Sequence, residues 1–382
     1  MPRMFKIDIH THILPPQWPD LAEKYGYGRW VKMIKEPDAS GACCRGRLLI
    51  DGEPFRVVGA NCFDHAVRLA EIDEVGVGVQ VLSTVPVMFS YWGQPEHTLE
   101  LARYLNDHIA SVCREHPRRF VGLGTLPMQA PDLAVRELER CVKELGLAGV
   151  QIGSHVEQPR SRDWNLSEPA LFPVFQAAEA LGAAIFVHPW AMMGEEDMGK
   201  YWLPWLVGMP AETARAICSV IFGGVLDRLP KLRMCFAHGG GSFPYTIGRI
   251  EAGYNCRPDL VAVDNARNPW SYLAEPGKPA DFYVDSLVHS RNALRYLIAQ
   301  MDERRVAMGS DYPFPLGEAK AGAMIDSMYD LTDPTKRRLL AGAAFEFLNL
   351  DPRDFIDDEE ELKHYLPRDE NFARGAEIRG AR

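Results

Sequence analysis

Apolar runs bounded by turn residues occur at eight places along the chain. Each run is rich in Val, Ile, Phe or Leu, which is typical of strands buried on both faces of a parallel sheet. The eight predicted strands cover 5–12, 77–84, 120–127, 148–155, 183–190, 232–239, 282–289 and 305–312.

Helical patterns separate these strands. The predicted helices cover 64–75, 95–116, 131–145, 168–181, 209–229, 242–256 and 291–300, with a C-terminal pair within 318–348. Because strand and helix alternate throughout and no GxGxxG follows a strand, the pattern favours an α/β fold of the closed (β/α)₈ TIM-barrel type over an open doubly wound sheet. The HGGG at 238–241 does not fit the dinucleotide-binding fingerprint.

Two segments fall outside this alternation. They are an irregular insertion at 14–63, after the first strand, and a Pro- and Asn-containing connection at 257–281, and we expect both near the barrel mouth. Residues 1–350 are predicted to form one barrel domain. Residues 351–382 are predicted to form a polar, acidic C-terminal tail, with five consecutive acidic residues at 357–361.

Composition and charge narrow the function classes. The 382 residues are 47% hydrophobic, and 42 basic against 52 acidic residues give a net charge of −10, which argues against a nucleic-acid partner. No stretch approaches the about 18 uninterrupted apolar residues of a membrane span, and the N-terminus lacks the apolar region of a secretory signal. The eight cysteines are scattered without a CxxC pair, which favours a reducing compartment. We therefore expect a cytoplasmic protein.

Histidine and aspartate residues occupy the carboxyl ends of four predicted strands. His10 and His12 end the first strand on one face, His188 ends the fifth, His238 the sixth and Asp311 the eighth. Barrel enzymes build their sites at this rim, and these side chains supply nitrogen and oxygen ligands. A single histidine at a strand end would more often be structural. The common position of all five predicts a site for a divalent metal ion.

This ligand pattern resembles the amidohydrolase superfamily, whose metal-dependent barrels carry HxH on strand one, His on strands five and six, and Asp on strand eight. Longer blocks, among them IDIHTHILP, FVHPW, KYWLPWLVGMPAET, FAHGGGSFPYTIGRI and GSDYPFPLGE, are similar to the aminocarboxymuconate semialdehyde decarboxylases of tryptophan breakdown through kynurenine. The resemblance extends from about residue 5 to 350. It implies zinc-dependent decarboxylation of 2-amino-3-carboxymuconate 6-semialdehyde to 2-aminomuconate 6-semialdehyde, without an organic cofactor, which would limit quinolinate formation.

The resemblance also implies roles for the strand-end residues. His10, His12, His188 and Asp311 would bind one zinc ion per subunit, and His238 would activate the metal-bound water as acid and base. A role for His238 as a further metal ligand remains the alternative. The fourth strand lacks the lysine that bridges two ions in many relatives, so one ion is expected. Addition of hydroxide to the substrate and direct coordination of the substrate, with Asp311 or His238 protonating carbon, both remain open.

Substrate contacts follow from the same resemblance. Arg56 would bind a substrate carboxylate, and Arg249 would reach the active site of the neighbouring subunit, which implies a homodimer. Trp205 and Met192 would line the pocket. Ala191 departs from the family pattern, because many members have Asp in the corresponding HPWDM.

Three other functions remain under consideration. The first is a metal-dependent decarboxylase of an aromatic acid such as a hydroxybenzoate, with manganese as a candidate ion. The second is a hydrolase of cyclic amides or amines, against which the missing lysine counts for the binuclear forms. The third is a non-catalytic binding protein, which the full set of metal-ligand residues disfavours.

Overall fold

Eight parallel strands form the centre of the molecule. The computed structural model describes residues 4–37, 43–158 and 162–366. The strands neighbour one another in chain order: β1 Ile7–Ile13, β2 Val79–Thr84, β3 Phe120–Gly124, β4 Gly149–Gly153, β5 Ala184–His188, β6 Arg233–Phe236, β7 Tyr283–Asp285 and β8 Val306–Ala307. All eight predicted strands are confirmed. The last is much shorter than the predicted 305–312: it ends at Ala307, and Asp311, with a φ of 58°, lies outside the strand conformation.

Hydrogen bonds between β1 and the residues that follow β8 close the sheet into a barrel. The backbone N–H of Ile9 donates to Met308 O at 2.9 Å, and that of Asp311 donates to His10 O at 2.8 Å. The register of β1 against β2 shifts within β1, between Asp8 and Thr11. Such irregularities occur at barrel rims, where they redirect side chains. The predicted (β/α)₈ barrel is therefore confirmed.

Helices surround the barrel. They are α1 His65–Val75, α2 Pro95–Glu115, α3 Pro131–Lys143, α4 Phe172–Leu181, α5 Met209–Phe222, α6 Phe243–Cys256 and α7 Arg291–Met301. The helix predicted at 209–229 is interrupted at Gly224, whose φ is 64°, before a short helix at Val225–Arg228. The C-terminal pair consists of Ala323–Asp326 and the consecutive turns Asp333–Arg337, Arg338–Gly342 and Ala343–Leu348. None of the described helices has the length and apolar character needed to cross a membrane.

Local sequence explains where these helices begin and end. Asp64 caps α1 by accepting a hydrogen bond from the backbone N–H of Ala66 at 2.9 Å, and Gly76, with a φ of 73°, ends the helix. Pro95 and Pro131 occupy the first positions of α2 and α3, where a missing N–H costs nothing.

The described part of the segment at 14–63 contains regular secondary structure, so its prediction as irregular was wrong. It contains a short helix, Leu21–Tyr25, and an antiparallel sheet of Val31–Pro37, Cys43–Ile50 and Glu53–Gly59. Asp51 and Gly52, with φ of 52° and 81°, form the tight turn between the last two strands. An Asp-Gly pair is a strong hairpin signal. The two outer strands of this sheet are largely exposed, so they lack the continuous apolar run of a strand buried on both faces.

The connection at 257–281 packs outside the barrel, so the expectation that it lies near the mouth was wrong. Asn265 Nδ2 donates to Ile221 O of α5 at 2.9 Å, and Arg267 pairs with Asp227 at 3.0 Å. Tyr272 is fully buried and fixes this segment against the outer helices. No residue of the 257–281 connection lines the large cavity described below.

Residues 351–366, the described part of the predicted tail, pack against the barrel at the end opposite the histidines. Glu361 is buried, accepts a hydrogen bond from the backbone N–H of Phe5 at 3.0 Å and pairs with Arg337 at 3.0 Å. The ring of Tyr365 lies 5.5 Å from that of Phe345. The predicted acidic run therefore includes one structural carboxylate. Residues 367–382 lie outside the described residues.

Candidate metal centre and active site

The five strand-end residues come together at one end of the barrel. His10 and His12 lie on β1, His188 is the last residue of β5, and His238 and Asp311 follow β6 and β8. The ring centroid of His10 lies 5.2 Å from that of His12 and 5.0 Å from those of His188 and His238. The spatial convergence on which the metal-site prediction depends is therefore present.

Their donor atoms form a compact group. One ligand atom from each of His10, His188, His238 and Asp311 lies within 4.8 Å of the others, and His12 Nε2 lies 3.1 Å from Asp311 Oδ1. The Nε2 atoms of all four histidines are buried, and none has a hydrogen-bond partner among the described residues. Buried polar atoms without partners are rare in native proteins. The set therefore fits a divalent transition-metal ion.

Three of the histidines are oriented through their other ring nitrogen. Each Nδ1 faces an oxygen that only accepts hydrogen bonds, so the proton resides on Nδ1 and Nε2 is free to bind a metal. The acceptors are Asp285 Oδ2 at 2.7 Å for His10, Thr84 O at 3.0 Å for His12 and Pro189 O at 2.5 Å for His188.

Asp285, at the end of β7, is a functional candidate that sequence reasoning missed. Its buried carboxylate accepts the hydrogen bond from His10 and backbone N–H bonds from His238 at 2.9 Å, Gly239 at 2.8 Å and Leu287 at 3.0 Å. Burial alone would raise the pKa of Asp285 and lower that of His10. The hydrogen bond between the two outweighs burial, so the pKa of Asp285 is lowered and that of His10 is raised. One carboxylate thus orients a candidate ligand and the backbone of His238. Because the predicted strand covered 282–289, Asp285 stood in its middle, and the strand-end position that identified the other residues gave no signal here.

Asp8 is a second buried carboxylate that sequence reasoning missed. It accepts hydrogen bonds from Ser310 N at 3.0 Å and Ser310 Oγ at 2.5 Å, and from His10 N at 3.3 Å. Burial raises the pKa of Asp8 to about 6, although these contacts oppose the shift. Asp8 therefore ties β1 to the segment that carries Asp311.

The remaining site residues have protonation states suited to metal binding. Burial lowers the pKa of His12, and burial together with neighbouring imidazoles lowers the pKa of His188 well below its usual value. Burial alone would raise the pKa of Asp311, but the imidazoles of His12 and His238 hold it well below its ordinary value. Neutral imidazoles and an ionised carboxylate are the forms that bind metals.

The backbone at the site adopts conformations that are uncommon for side-chain-bearing residues. His238 and Asp311 both have a φ of 58°. Non-glycine residues in this region cluster at functional sites, where the surrounding structure holds them. At Gly309, an added Cβ would lie 2.8 Å from His10 Cβ and 2.9 Å from Asp285 Cβ, so only glycine fits between these two side chains.

A cavity of about 750 Å³ opens above the five strand-end residues, which together form the candidate metal-ligand group. His12, His188 and Asp311 lie at its floor. Its walls come from the antiparallel sheet and from the segments that follow β2, β4, β5 and β8. Arg56, Trp205 and Met192 line these walls. The cavity therefore joins three of the predicted substrate residues to the metal-ligand group.

Arg56 presents a positive charge to this cavity. Its guanidinium carbon lies 4.6 Å from the ring centroid of Phe314 and 5.8 Å from that of Trp205. Burial lowers the pKa of Arg56, although the carboxylate of Asp311 opposes this shift. No carboxylate within the described part of the chain forms an ion pair with it. The guanidinium is therefore available to an anionic ligand.

Arg249 lies elsewhere. It is exposed on α6, and it does not line the cavity of its own subunit. Its contribution to a neighbouring active site stays a prediction.

Glu212, on α5, fixes the segment that follows His188. Its fully buried carboxylate accepts hydrogen bonds from Trp190 N at 2.7 Å, Ala191 N at 3.2 Å, Met193 N at 3.1 Å and Ser154 Oγ at 2.5 Å. Sequence reasoning missed this role, because a glutamate within a helix gives no local sign that it is buried. Ala191 contributes its backbone N–H, and its side chain brings no charge to the cavity.

Comparison with known proteins identifies the family. The family model described as amidohydrolase matches residues 7–350. A 2-amino-3-carboxymuconate-6-semialdehyde decarboxylase from Dictyostelium discoideum is 54% identical over 354 residues, covering 93% of this chain and 94% of the relative. The crystal structure of 5-carboxyvanillate decarboxylase from Sphingomonas paucimobilis is 29% identical, with a TM-score of 0.68 over 76% of this chain and 85% of that one.

A dihydroxybenzoic acid decarboxylase from Polaromonas, solved with bound manganese, shares the fold with a TM-score of 0.70 and 22% identity over 91% of this chain and 97% of that one. The match of the family model over residues 7–350, together with the barrel, thus defines a member of the amidohydrolase family. Within that family, the chain belongs with the 2-amino-3-carboxymuconate-6-semialdehyde decarboxylases.

Proposed function

We propose that the protein decarboxylates 2-amino-3-carboxymuconate 6-semialdehyde to 2-aminomuconate 6-semialdehyde. The observation that carries this proposal is the 54% identity to the Dictyostelium relative over nearly the whole of both chains. The cavity supports it, because a cationic guanidinium and a group of candidate metal ligands line the same space. A substrate with two carboxylates requires a fixed positive charge in a chain of net charge −10.

The proposal assigns one zinc ion to His10, His12, His188 and Asp311. The free, buried Nε2 atoms of the three histidines and the ionised state of Asp311 support this ligand set. Such an ion supplies Lewis-acid chemistry and lowers the pKa of a water molecule. Zinc is assigned through the family resemblance, and His/Asp sites also accept manganese and other divalent ions.

His238 serves in this proposal as the acid and base. Loss of CO₂ leaves an electron pair on carbon, and a proton must take the place of the carboxyl group. The ring of His238 lies 5.0 Å from that of His10 and 5.1 Å from that of His188, and Asp285 fixes its backbone N–H at 2.9 Å. An imidazole can both accept and donate a proton, which is what this step requires. Asp311, 3.9 Å from His238 Nε2, is the other candidate donor.

Arg56, Trp205 and Met192 bind the substrate in this proposal. The guanidinium of Arg56 offers paired N–H donors to one carboxylate. The indole of Trp205 and the side chain of Met192 pack against the conjugated chain and exclude water from it. All three line the cavity, which supports these roles.

The proposal includes a homodimer in which Arg249 completes the neighbouring active site. The exposed position of Arg249 on α6, with the 86% exposed Tyr245 on the same helix, supports a contact surface there. Mixing Arg249→Ala and His238→Ala subunits tests it. If Arg249 acts across the interface, some mixed dimers regain one intact site, and activity rises above that of either variant alone. Absence of any gain, with mixed dimers demonstrated by mass spectrometry, contradicts the assignment.

The proposal also includes a place in tryptophan breakdown through kynurenine, in the cytoplasm. Removal of the substrate before it cyclises would limit quinolinate formation. The free thiols of Cys62, Cys141 and Cys235, all buried, are compatible with a reducing compartment.

The test follows the near-ultraviolet absorbance of freshly generated substrate with the zinc-loaded protein. We expect rapid decay and suppressed quinolinate with the wild type. His238→Ala should lower the rate by about 10²- to 10⁴-fold, the usual contribution of a general acid or base. His289→Ala, which changes an exposed histidine at the same rim, is the matched control and should retain activity.

Decarboxylation of an aromatic acid is the second candidate. The similarity to 5-carboxyvanillate decarboxylase, together with the aromatic side chains of Trp202, Trp205 and Phe314 in the cavity, supports it. An unchanged spontaneous rate and quinolinate yield with a full metal complement, combined with CO₂ release from hydroxybenzoates, would favour this candidate over the first.

A further inference from the structure

A second group of potential metal ligands lies outside the barrel. His65 is the first residue of α1, Glu115 is the last residue of α2, and His116 follows directly. The side chains of His65 and His116 are 30% and 28% exposed, and that of Glu115 is 56% exposed. None of the three lines the active-site cavity.

Both imidazoles direct Nε2 at the same carboxylate oxygen. His65 Nε2 lies 3.2 Å and His116 Nε2 lies 3.5 Å from Glu115 Oε1, and one ligand atom from each residue lies within 4.8 Å of the others. In a tetrahedral site with bonds of about 2.0–2.2 Å, neighbouring ligand atoms are roughly 3.3–3.6 Å apart. The two Nε2–Oε1 distances are close to these ligand-to-ligand distances.

The supporting backbone limits the movement of the two histidines. Asp64 caps the helix at His65 by accepting a hydrogen bond from Ala66 N at 2.9 Å. The ring of His116 packs edge-on against Phe120 at 5.9 Å. Two histidines on supported helix ends therefore lose little freedom when an ion binds, and Glu115 needs only a side-chain adjustment.

We propose that His65, Glu115 and His116 form a second metal site that binds a divalent transition-metal ion such as Zn²⁺. Two imidazoles and one carboxylate are a common protein ligand set for such ions, and the exposed side leaves room for water at the remaining positions. This site shares no residue with the strand-end group and does not depend on the proposed reaction.

A bound ion would join α1 to α2 near a residue that holds β1. Arg68, fully buried on α1, donates hydrogen bonds to Gln80 Oε1 at 3.1 Å, to Thr11 Oγ1 at 3.3 Å and to the backbone carbonyl of His12. The ion would thus fix the start of the helix whose arginine contacts the strand carrying His10 and His12. Its expected role is structural.

The test is a Zn²⁺ titration of the metal-free full chain in competition with a chromophoric chelator. We expect two classes of site in the wild type, of which the strand-end group is the tighter. The double variant His65→Ala/His116→Ala should lose the weaker class and keep the tighter one. Glu115→Gln should lower the Zn²⁺ affinity of the weaker class by more than about 10-fold, which is the loss expected when only an outer partner of a ligand is removed. His364→Ala, at another exposed histidine, is the control and should retain both classes.

Two results would overturn the proposal: a single class of site in the wild type, or a weaker class that persists in the double variant and so belongs to the barrel. Retention of the tighter class reports that the double variant is folded. If the double variant loses both classes, it is not folded and gives no answer. Glu115→Gln then provides the test, because replacing one exposed side chain should leave the fold intact. An unchanged weaker class in Glu115→Gln then contradicts the site.

Discussion

The floor and the walls of the active-site cavity are constructed differently. At the floor, His12 and His188 are buried, and the buried His10 lies beside them; each of the three is oriented by a hydrogen bond through Nδ1. On the walls, Arg56 and Trp205 are only partly buried and are in contact mainly through ring and guanidinium surfaces.

This difference indicates that the floor serves the chemical step and the walls serve substrate selection. Strand ends hold the floor in one arrangement, and metal chemistry depends on such precision. The walls come from the insertion and from several segments that follow strands, and such segments can differ between relatives without disturbing the barrel. Relatives named for a muconate and for a vanillate derivative share the fold, as expected if the walls select the substrate.

Among the variants that test this difference between floor and walls, Asp285→Asn, which removes a charge beneath the floor, should have the largest effect. Asp285→Asn leaves an amide where His10 and three backbone N–H groups donate hydrogen bonds. We expect metal affinity and activity to fall by about 10- to 100-fold, as for other outer partners of metal ligands. Metal analysis after dialysis and the absorbance assay measure this. Asp281→Asn, whose carboxylate pairs with Arg267, is the control. Normal metal content in Asp285→Asn would show that the floor does not need this carboxylate.

Glu212 connects the floor to the wall, so its replacement should affect the wall selectively. Glu212→Gln offers one acceptor oxygen fewer to the four donors that converge on it, and an unsatisfied buried N–H costs about 1–3 kcal/mol. We expect KM to rise about tenfold while metal content stays constant. Glu196→Gln, in an exposed position of the same segment, should match the wild type. A fall in kcat with unchanged KM would contradict a role limited to the wall.

Arg56→Lys tests the wall alone. Lysine keeps the positive charge and loses the planar pair of donors that fits a carboxylate. We expect KM to increase by about fivefold to tenfold, which corresponds to loss of one charge-assisted hydrogen bond. Arg47→Lys, whose guanidinium pairs with Glu36 at 2.9 Å, is the control. Steady-state kinetics with the muconate would contradict this role if KM remained unchanged.

The smallest expected effect concerns His108 on α2, near Leu14 at the start of the insertion. Burial lowers the pKa of His108 to about 4, while an unfolded chain protonates histidine near pH 6.5. The unfolded state therefore binds more protons between these values, so this residue lowers stability as the pH falls from about 6.5 towards 4. Between pH 6.5 and pH 5.5, the wild type should lose about 1 kcal/mol more than His108→Leu in urea unfolding. Equal losses would contradict the assignment.

Local patterns predicted most of the fold and the floor of the site. Apolar runs identified all eight strands, because a strand buried on both faces needs an unbroken apolar segment. His10, His12, His188, His238 and Asp311 were identifiable because each stands at the end of such a run. The antiparallel sheet was missed, since its largely exposed strands lack that pattern.

The sequence by itself determined the barrel class, the positions of the candidate ligands and, through long blocks of resemblance, the family. The tertiary structure decided which carboxylates are buried and which groups they orient. His10 and Asp285 are separated by 275 positions, and Ser154 and Glu212 by 58. No local periodicity connects such pairs, because closure of the barrel brings them together and removes the water that would otherwise satisfy them.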